Sequence, residues 1–375
     1  MAAGDSCAPS LPHVCMILYV DPAPFMGGAQ QSLRTLVRAL DSREFGAVLT
    51  GGEVMRLWRP GDWFPVSMPA PCFTLKSPGR MTRFLCRSVL ASIPLLKVIR
   101  KVRPDIIHAN GRGAWIPSRL CSLAAGVPLI WHARDLAGSI AFDRIAGRLS
   151  TRCLAPSLAL ARRVHGVVVP NGVDTECFQP GDRRRARASF PGLPPDRTIA
   201  GMISQWVSWK RVDLFLNLAE RICSEDPSIF FVLCGAQPPG DGGCLRKRYE
   251  AALCGRGMVM SWTENVSELM RALDMLVHPA AAEAFGRTPV EAMACGIPVI
   301  GANLGGVAET VVDGVTGILC SPGDLDAFKD GILRLARDPG LARSMGKNGR
   351  ARVESLYSAS HHARLVEAQY RLVLG

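Results

Sequence analysis

The sequence predicts an α/β fold made of two doubly wound parallel-sheet domains. The 375 residues are too many for one ordinary core and suit two domains. In both halves, short apolar runs of strand length alternate with segments of helical periodicity, which is typical of parallel sheets with helices on both faces. The hydrophobic content of 48% with 20% charged residues indicates a folded chain with a large core.

The first half contains the signals of one such domain. Residues 13–20 form an apolar run that predicts a buried strand, and Gly27 and Gly28 follow before a helix begins. Two adjacent glycines let a ligand approach the backbone closely, although they also suit a simple tight turn. Further strands are predicted at residues 105–108, 129–132 and 166–170.

His132 is the last residue of the predicted strand over residues 129–132. Ligands of parallel sheets collect at the carboxyl ends of the strands, so His132 is a candidate to line a ligand crevice. His108 has the same position at the end of its strand. A structural role in the core also fits a single histidine, and the position alone leaves both interpretations open.

The second half repeats the alternation and suggests where the domains divide. Strands are predicted at residues 198–203, 230–233, 274–277 and 317–319. Turn-forming residues and an arginine-rich segment follow residue 169. The predicted divisions are a disordered lead over residues 1–11, a first domain over 12–169, a second domain over 170–357 and a C-terminal helix from 358.

Residues 283–300 combine a loop, a helix and a buried strand. Thr288 is a good N-cap residue and Glu291 lies three residues later, which predicts a capping box at the helix start. Alternatively, Glu283 and Glu291 flank a helix N-terminus whose free N–H groups attract a phosphate, and both carboxylates bind sugar hydroxyls. The second interpretation predicts a nucleotide-sugar site.

The same stretch resembles a known family signature. It consists of Glu283, seven further residues, Glu291 with Ala-Met-Ala-Cys-Gly-Ile-Pro-Val-Ile behind it, and the pair Gly305-Gly306. This run resembles the signature of the family 4 retaining glycosyltransferases. The resemblance implies the GT-B fold, in which two Rossmann-like doubly wound domains face each other across a cleft. It also implies that the C-terminal helix, residues 358–375, crosses back onto the first domain.

The resemblance implies roles for residues of both domains. His132, Lys210 and Glu283 would be the catalytic residues. Lys210 would bind the diphosphate, because it follows a strand and a loop at a helix start where backbone N–H groups add to its charge. The donor-binding residues would be Gly27, Gly28, Gln205, Lys210, Phe285, Gly286, Arg287, Thr288 and Glu291.

Gln205 departs from the pattern of the family, which usually has an arginine five residues before the lysine. A neutral amide still donates hydrogen bonds but loses their charge-assisted part. Arg287 is the residue expected to compensate, although its position also suits a helix-end surface residue.

The formal net charge of +12 indicates an anionic partner. Nucleic acid is not expected, because aromatic residues make up only 6% of the chain and do not alternate with the basic runs. The nucleotide-sugar donor and an anionic membrane surface are the partners that fit.

Residues 81–102 predict a helix with one basic face. The basic face consists of Arg83, Arg87, Lys97 and Lys101. The opposite face is expected to hold Leu85, Val89, Leu96 and Ile99. Pro94 argues against one straight helix. The basic face is either an ordinary solvated surface or a docking surface for anionic lipids, and the expected location is cytoplasmic, peripheral at the membrane in the second case.

Neither a metal nor a cofactor is expected. Asp324 and Asp326 imitate the Asp-x-Asp of metal-dependent transferases, but they follow Ser-Pro-Gly and open a helix, so N-terminal capping explains them. The 13 cysteines contain no Cys-x-x-Cys pair and no cluster with zinc spacing. The expected co-substrate is a UDP- or GDP-sugar.

The function expected from the resemblance is a retaining, metal-independent transfer of a hexose from a nucleoside-diphosphate sugar. The acceptor would be a glycan or a lipid-linked molecule in cell-surface polysaccharide or glycolipid synthesis. One alternative is a GT-B sugar synthase or phosphorylase with a small soluble acceptor. Another is a non-catalytic GT-B binding protein, which Gln205 favours.

Overall fold

The computed structural model describes residues 15–23, 26–40, 45–49, 63–66, 78–136, 138–236, 243–253 and 255–375. Its contacts divide the chain into two compact units. The first unit comprises the described residues up to Ala155, together with Ala161–Val169 and Ala363–Gly375. The second comprises Pro156–Leu160 and Pro170–His362. The predicted lead over residues 1–11 and the first two residues of the predicted strand 13–20 lie outside the described residues.

The first unit is built on a seven-stranded sheet in which all neighbouring strands are parallel. The strands lie in the order β3-β2-β1-β4-β5-β6-β7, so the order reverses between β1 and β4. The strands are β1 (Ile17–Asp21), β2 (Phe45–Leu49), β3 (Trp63–Pro65), β4 (Ile106–Asn110), β5 (Leu129–His132), β6 (Arg152–Ala155) and β7 (Val167–Val168). The helices between them are α1 (Gly28–Ala39), α2 (Pro78–Val102), α3 (Arg112–Ala125), α4 (Ile140–Leu149) and α5 (Leu158–Val164).

The central strands of this sheet are buried along their whole length. Every residue of β1, β4 and β5 is buried, as expected for parallel strands covered on both faces. The C-terminal helix α14 (Ala359–Leu374) contributes Val366 and Tyr370 to the core of this unit. The Tyr370 hydroxyl donates to the hydroxyl of Tyr19 on β1 at 3.1 Å and lies 2.7 Å from Nδ1 of His108 on β4.

Helix α2 differs from its prediction in two respects. It is one helix with Pro94 inside it. Leu85 and Val89, predicted on the buried face, are 44% and 53% exposed. Ile99 is buried as predicted, but the other buried positions form a different stripe: Phe84, Ser88, Ala91 and Leu95. The helix packs against α3 through this second stripe, and the thiol of Cys121 on α3 donates to the Ser92 carbonyl. Periodicity alone could not show which stripe of α2 is covered by α3.

The second unit contains a six-stranded parallel sheet in the order β10-β9-β8-β11-β12-β13. The strands are β8 (Thr198–Ile203), β9 (Ile229–Gly235), β10 (Gly257–Ser261), β11 (Met275–His278), β12 (Val299–Ala302) and β13 (Gly317–Cys320). The helices are α6 (Arg183–Ala188), α7 (Val212–Glu225), α8 (Cys244–Ala252), α9 (Val266–Ala272), α10 (Arg287–Ala294), α11 (Val307–Thr310), α12 (Leu325–Arg337) and α13 (Pro339–Leu356). Two hydrophobic clusters form its core. The strand order reverses between β8 and β11, which places a ligand crevice outside the carboxyl ends of these two strands.

Within the described residues, no helix combines the length and the apolar character needed to span a bilayer.

Candidate functional site

Three side chains meet at the carboxyl edge of the second sheet. His278 is the last residue of β11, Lys210 ends a short 3-10 turn over Ser208–Lys210 after β8, and Glu283 lies in the loop between β11 and α10. The Lys210 ammonium donates to Oε1 of Glu283, and Nε2 of His278 lies 3.2 Å from the same oxygen. Two predicted catalytic residues, Lys210 and Glu283, are therefore in direct contact.

The surroundings of Glu283 keep it ionised. Burial alone would raise the pKa of Glu283, but the Lys210 ammonium and the His278 hydrogen bond outweigh this effect and bring the pKa to about 2. Burial lowers the pKa of His278, so its imidazole is neutral near pH 7. The cluster thus consists of a carboxylate, an ammonium and a neutral histidine.

A second ion pair lies in the first turns of helix α10. The guanidinium Nε of Arg287 donates to Oε1 of Glu291 at 2.6 Å, and both side chains are nearly buried. Burial raises the pKa of Glu291, and the Arg287 guanidinium opposes that shift. Arg287 also donates to the carbonyl of Gly172, so it is not the surface residue that its position allowed.

The capping-box interpretation is wrong for this helix. Helix α10 begins at Arg287, with Gly286 as the N-cap residue and no side-chain cap, so Thr288 lies inside the first turn. Gly286 adopts φ +82°, a conformation that glycine takes at little cost, and this lets the helix start earlier than Thr288. Glu291 pairs with Arg287 one turn before it. The N–H groups of the first turn thus have no side-chain cap and keep their attraction for an anion.

The loop carrying Glu283 is held by the glycine pair after β12. The N–H of Gly306 donates to the carbonyl of Glu283 at 2.8 Å. A Cβ at Gly306 would lie 2.4 Å from Cα of Phe285, so only glycine fits here without a shift of the backbone. Phe285 itself is buried and packs edge-on against Tyr357 at 5.6 Å, so only its backbone is available to a ligand.

Gly306→Ala is expected to displace the loop that carries Glu283. The backbone must give way to the new methyl group, and such overpacking costs about 1–3 kcal/mol in the free energy of unfolding. We expect a lower melting temperature together with weaker nucleotide binding, both measurable by thermal denaturation with and without UDP. Gly340→Ala is the control, because its Cβ would meet only the Asp338 side chain at 3.1 Å. Equal behaviour of both variants would contradict the expectation.

Gln205 lies on the same side of the second unit, after β8. Its side chain is exposed, whereas Ser204 and Trp206 beside it are buried. The position is therefore open to a ligand but carries no positive charge.

The remaining predicted site residues belong to the first unit. Gly27 is the N-cap residue of α1, and its N–H donates to Oε1 of Gln30 at 3.2 Å. A Cβ at Gly28 would meet no atom within 4 Å, so the backbone here is open to approach.

His132 is fully buried. Its ring lies 5.4 Å from the ring of His108, which in turn contacts Tyr370. The structure thus places His132 at the carboxyl end of β5, next to a group of buried aromatic and polar rings.

A buried polar network also lies at the strand-order reversal of the first sheet. Asp21, at the end of β1, accepts from Asn110 Nδ2 at 2.6 Å and from Gln30 Nε2 at 3.1 Å. Arg134 donates to Asn110 Oδ1 at 2.7 Å. Burial raises the pKa of Asp21 despite these partners. The network ties the turn at Gly27 to the ends of β1 and β4.

The loop after β5 is fixed by a fully buried carboxylate. Asp143 pairs with Arg112 Nε and with Arg163 Nε, each at 2.6 Å. Arg163 also donates to the Gly138 carbonyl at 2.7 Å, and Arg112 to the Asp135 carbonyl at 3.1 Å. Both arginines thereby hold the backbone that follows His132.

Three residues at the strand ends were not predicted as site residues from the sequence. His278, Asp21 and Asn110 end the strands at the two reversals of strand order, and the strand-end argument used for His132 applies to them equally.

Asp324 caps helix α12 by accepting from the N–H of Ala327 at 3.0 Å.

Comparison with known proteins gives two family matches that together span most of the chain. Residues 26–177 match the model described as Glycosyltransferase Family 4, and residues 184–352 match the model described as Glycosyl transferases group 1.

Among curated relatives, the D-inositol 3-phosphate glycosyltransferase of Mycolicibacterium paratuberculosis is 33% identical over 211 residues, 54% of this chain and 46% of the relative. The same enzyme of Mycobacterium tuberculosis (strain ATCC 25177 / H37Ra) is 34% identical over 219 residues, 56% of this chain and 44% of the relative. The aligned part is about half the length of these curated relatives.

Two solved structures share the fold. Anabaena Alr3699/HepE, in complex with UDP and glucose, has a TM-score of 0.80 at 21% identity, over 95% of this chain and 99% of that one. Sucrose-phosphate synthase from Thermosynechococcus elongatus has a TM-score of 0.77 at 21% identity, over 96% and 99%. The predicted fold class, GT-B with two Rossmann-like parallel-sheet domains, is confirmed.

Proposed function

The chain belongs to the family 4 glycosyltransferases of the GT-B fold, and on this premise we propose that it moves a hexose from a nucleoside-diphosphate sugar to a glycan or lipid-linked acceptor. The observation that carries the proposal is the contact between Lys210 and Glu283 next to a helix whose first turn has no side-chain cap. A diphosphate leaving group needs positive charge and N–H donors, and a hexose needs hydroxyl acceptors. The carboxyl edge of the second sheet offers the positive charge and N–H donors for the diphosphate, and the carboxylates for the hexose hydroxyls.

The charge of each residue in the site indicates which part of the donor it binds. Lys210 and the first N–H groups of α10 stabilise the negative charge that develops on the departing diphosphate. Glu283 accepts from hydroxyls of the transferred hexose, and Glu291 from hydroxyls of the ribose. Gln205, Gly27, Gly28 and His132 remain proposed contributors. The proposed donor is a UDP-hexose, in line with the complexes described for Alr3699/HepE.

We propose retention of configuration from the family to which the chain belongs, and the ionised state of Glu283 agrees with this proposal. A carboxyl group with a pKa of about 2 is not a general acid near neutral pH, and an ion-paired carboxylate is a poor nucleophile. The paired carboxylates of a glycosidase therefore do not describe this site. We propose instead that the leaving phosphate takes the proton of the acceptor on the same face of the sugar. Lys210 supplies the positive charge, so neither a metal nor a cofactor is required.

The donor class is tested by thermal denaturation with UDP, GDP, ADP or TDP, on the wild type and on Glu291→Ala. A ligand that binds only the folded state stabilises it by about 2.7 kcal/mol at a hundredfold excess over Kd. We expect UDP to raise the melting temperature of the wild type and to have little effect on the variant. If no nucleotide stabilises the wild type, the proposed function fails.

A small phosphorylated acceptor is the second candidate. The relatives named D-inositol 3-phosphate glycosyltransferase and the neighbour named sucrose-phosphate synthase favour it. Transfer from UDP-glucose to a sugar phosphate or to a lipid-linked acceptor distinguishes the two. Transfer to either one, abolished in Glu283→Ala, would exclude a binding protein without turnover.

We also propose that helix α2 docks on an anionic lipid surface. Arg83, Arg87, Lys97 and Lys101 are all exposed. An apolar patch of Val89, Leu90 and Ile93 lies on the same helix, with exposed fractions of 53%, 63% and 58%. Basic side chains attract anionic headgroups, and an adjoining apolar patch enters the acyl boundary, so the two features favour one occupant.

Replacing the four basic residues of α2 with glutamine is expected to lower the affinity for anionic vesicles, measured by sedimentation, by more than tenfold. Each basic side chain near the surface contributes about 1 kcal/mol. The control removes four exposed charges from the second unit, at Arg184, Arg185, Lys247 and Arg248. Unchanged sedimentation of the α2 variant, or an equal loss in the control, would contradict docking by this helix.

A further inference from the structure

His278 is buried beside the proposed site of hexose transfer. It is the last residue of β11, one of the two strands between which the strand order reverses. It is 1% exposed, so it does not meet bulk solvent. A polar side chain so deeply buried costs free energy unless it has a hydrogen-bond partner. Its partner is Glu283.

Both partners of Glu283 converge on one oxygen. The His278 Nε2 and the Lys210 ammonium contact Oε1. Within the part of the chain that the structure describes, Oε2 makes no hydrogen bond or ion pair. The carboxylate is therefore held from one side, and its second oxygen is left for another donor.

The direction of the His278 hydrogen bond follows from charge. An ionised carboxylate only accepts hydrogen bonds, so the histidine must carry a proton on Nε2 to make this contact. A bond from a neutral N–H to a carboxylate is charge-assisted and is stronger than a bond between neutral groups. Lys210 is a flexible point charge, whereas the imidazole is rigid and fixed at a strand end. His278 therefore restricts the orientation of the carboxylate more than Lys210 does.

We infer that His278 is a positioning residue that makes Glu283 specific for the hexose of the donor. By holding Oε1, it leaves Oε2 to accept from a hexose hydroxyl. The inference rests on the proposed function, because it assigns the donor sugar to this site. It separates two parts of donor binding: the diphosphate is bound by Lys210 and the helix N-terminus, and the hexose by the oriented carboxylate.

The test compares His278→Gln with His278→Asn. The amide nitrogen of glutamine lies as many bonds from the backbone as Nε2 of histidine, whereas that of asparagine lies one bond closer. Glutamine can therefore reach Glu283 and asparagine cannot. The probes are UDP and UDP-glucose, with their affinities measured by isothermal titration calorimetry and the transfer reaction measured for kcat and KM.

We expect His278→Asn to bind UDP within about twofold of the wild type and to bind UDP-glucose about tenfold more weakly, the scale of one hydrogen bond to a charged group. His278→Gln should recover most of the UDP-glucose affinity. His165→Asn is the control, since His165 is exposed in the first unit and asparagine accepts its positive φ of 52°.

Three outcomes overturn the inference. His278→Asn binds both probes as the wild type does, or it loses both equally, or glutamine and asparagine behave alike. If UDP fails to bind even the wild type, the proposed function itself fails, and this result is distinct from the other three. Circular dichroism of each variant shows whether it is folded, and His278→Ala, which also lacks a donor to Glu283, replaces the asparagine variant if that variant is not folded.

Discussion

Glu283→Gln is expected to lower the rate of hexose transfer by about a hundredfold to a thousandfold. The variant keeps the shape of the side chain but removes the charge that binds hexose hydroxyls and pairs with Lys210. Loss of one preorganised polar group at a reacting centre has effects on this scale, about 3–4 kcal/mol in the activation barrier. Steady-state transfer from UDP-glucose measures it. Binding of UDP should persist, because the Lys210 ammonium remains and is released from its partner.

A matched control exists on the surface of the same unit. Glu225 pairs with Lys329 at 2.9 Å, and its side chain is 49% exposed. Glu225→Gln removes the same charge from the same kind of pair, and exposed pairs contribute little. Its transfer rate should stay within about twofold of the wild type. Near-normal transfer by Glu283→Gln would show that this carboxylate takes no part in the reaction.

Asp143→Asn is expected to lower the free energy of unfolding more than Gly306→Ala does. Asp143 is fully buried and is shared by Arg112 and Arg163, which are both largely buried. Removing the shared carboxylate charge leaves two guanidinium groups without compensation, and such losses cost about 3–5 kcal/mol in the free energy of unfolding. For a unit of this size the melting temperature of the first unit should fall by about 10 °C. Differential scanning calorimetry measures the change.

The exposed pair of Arg221 and Asp326 provides the comparison. The two side chains are 55% and 78% exposed, so Asp326→Asn should change the melting temperature by less than about 2 °C. Because Arg112 and Arg163 also bind the backbone after His132, Asp143→Asn should loosen that loop. A melting temperature equal to that of the wild type would rule out the proposed role of the ion cluster.

The layout of strands and helices was largely predictable, because buried parallel strands are short apolar runs that differ clearly from their surroundings. The strands over 129–132 and 198–203 have the predicted bounds. The buried face of helix α2 was harder to predict. Its sequence has apolar residues on more than one stripe, and only packing against α3 shows that Leu95 is buried and Val89 is exposed.

The sequence could not show which of the candidate site residues contact each other. Glu283 and Lys210 are 73 positions apart, and no sequence spacing shows that they form an ion pair. The start of α10 was misjudged because a threonine followed by a glutamate three residues later is the pattern of a capping box. Here Gly286 starts the helix in a left-handed conformation, and the guanidinium of Arg287 binds Glu291 more strongly than a backbone N–H would.

The hydrogen bond between Tyr19 and Tyr370 has a consequence for synthesis on the ribosome. The two residues are 351 positions apart, yet both belong to the core of the first unit. At about 5–20 residues per second, roughly 18–70 s pass between the emergence of β1 and that of its last partner. During this interval the second unit is translated in full while the first is incomplete. Until then the first unit lacks the apolar side chains that α14 adds to its core, and incompletely packed cores of this kind are prone to aggregation.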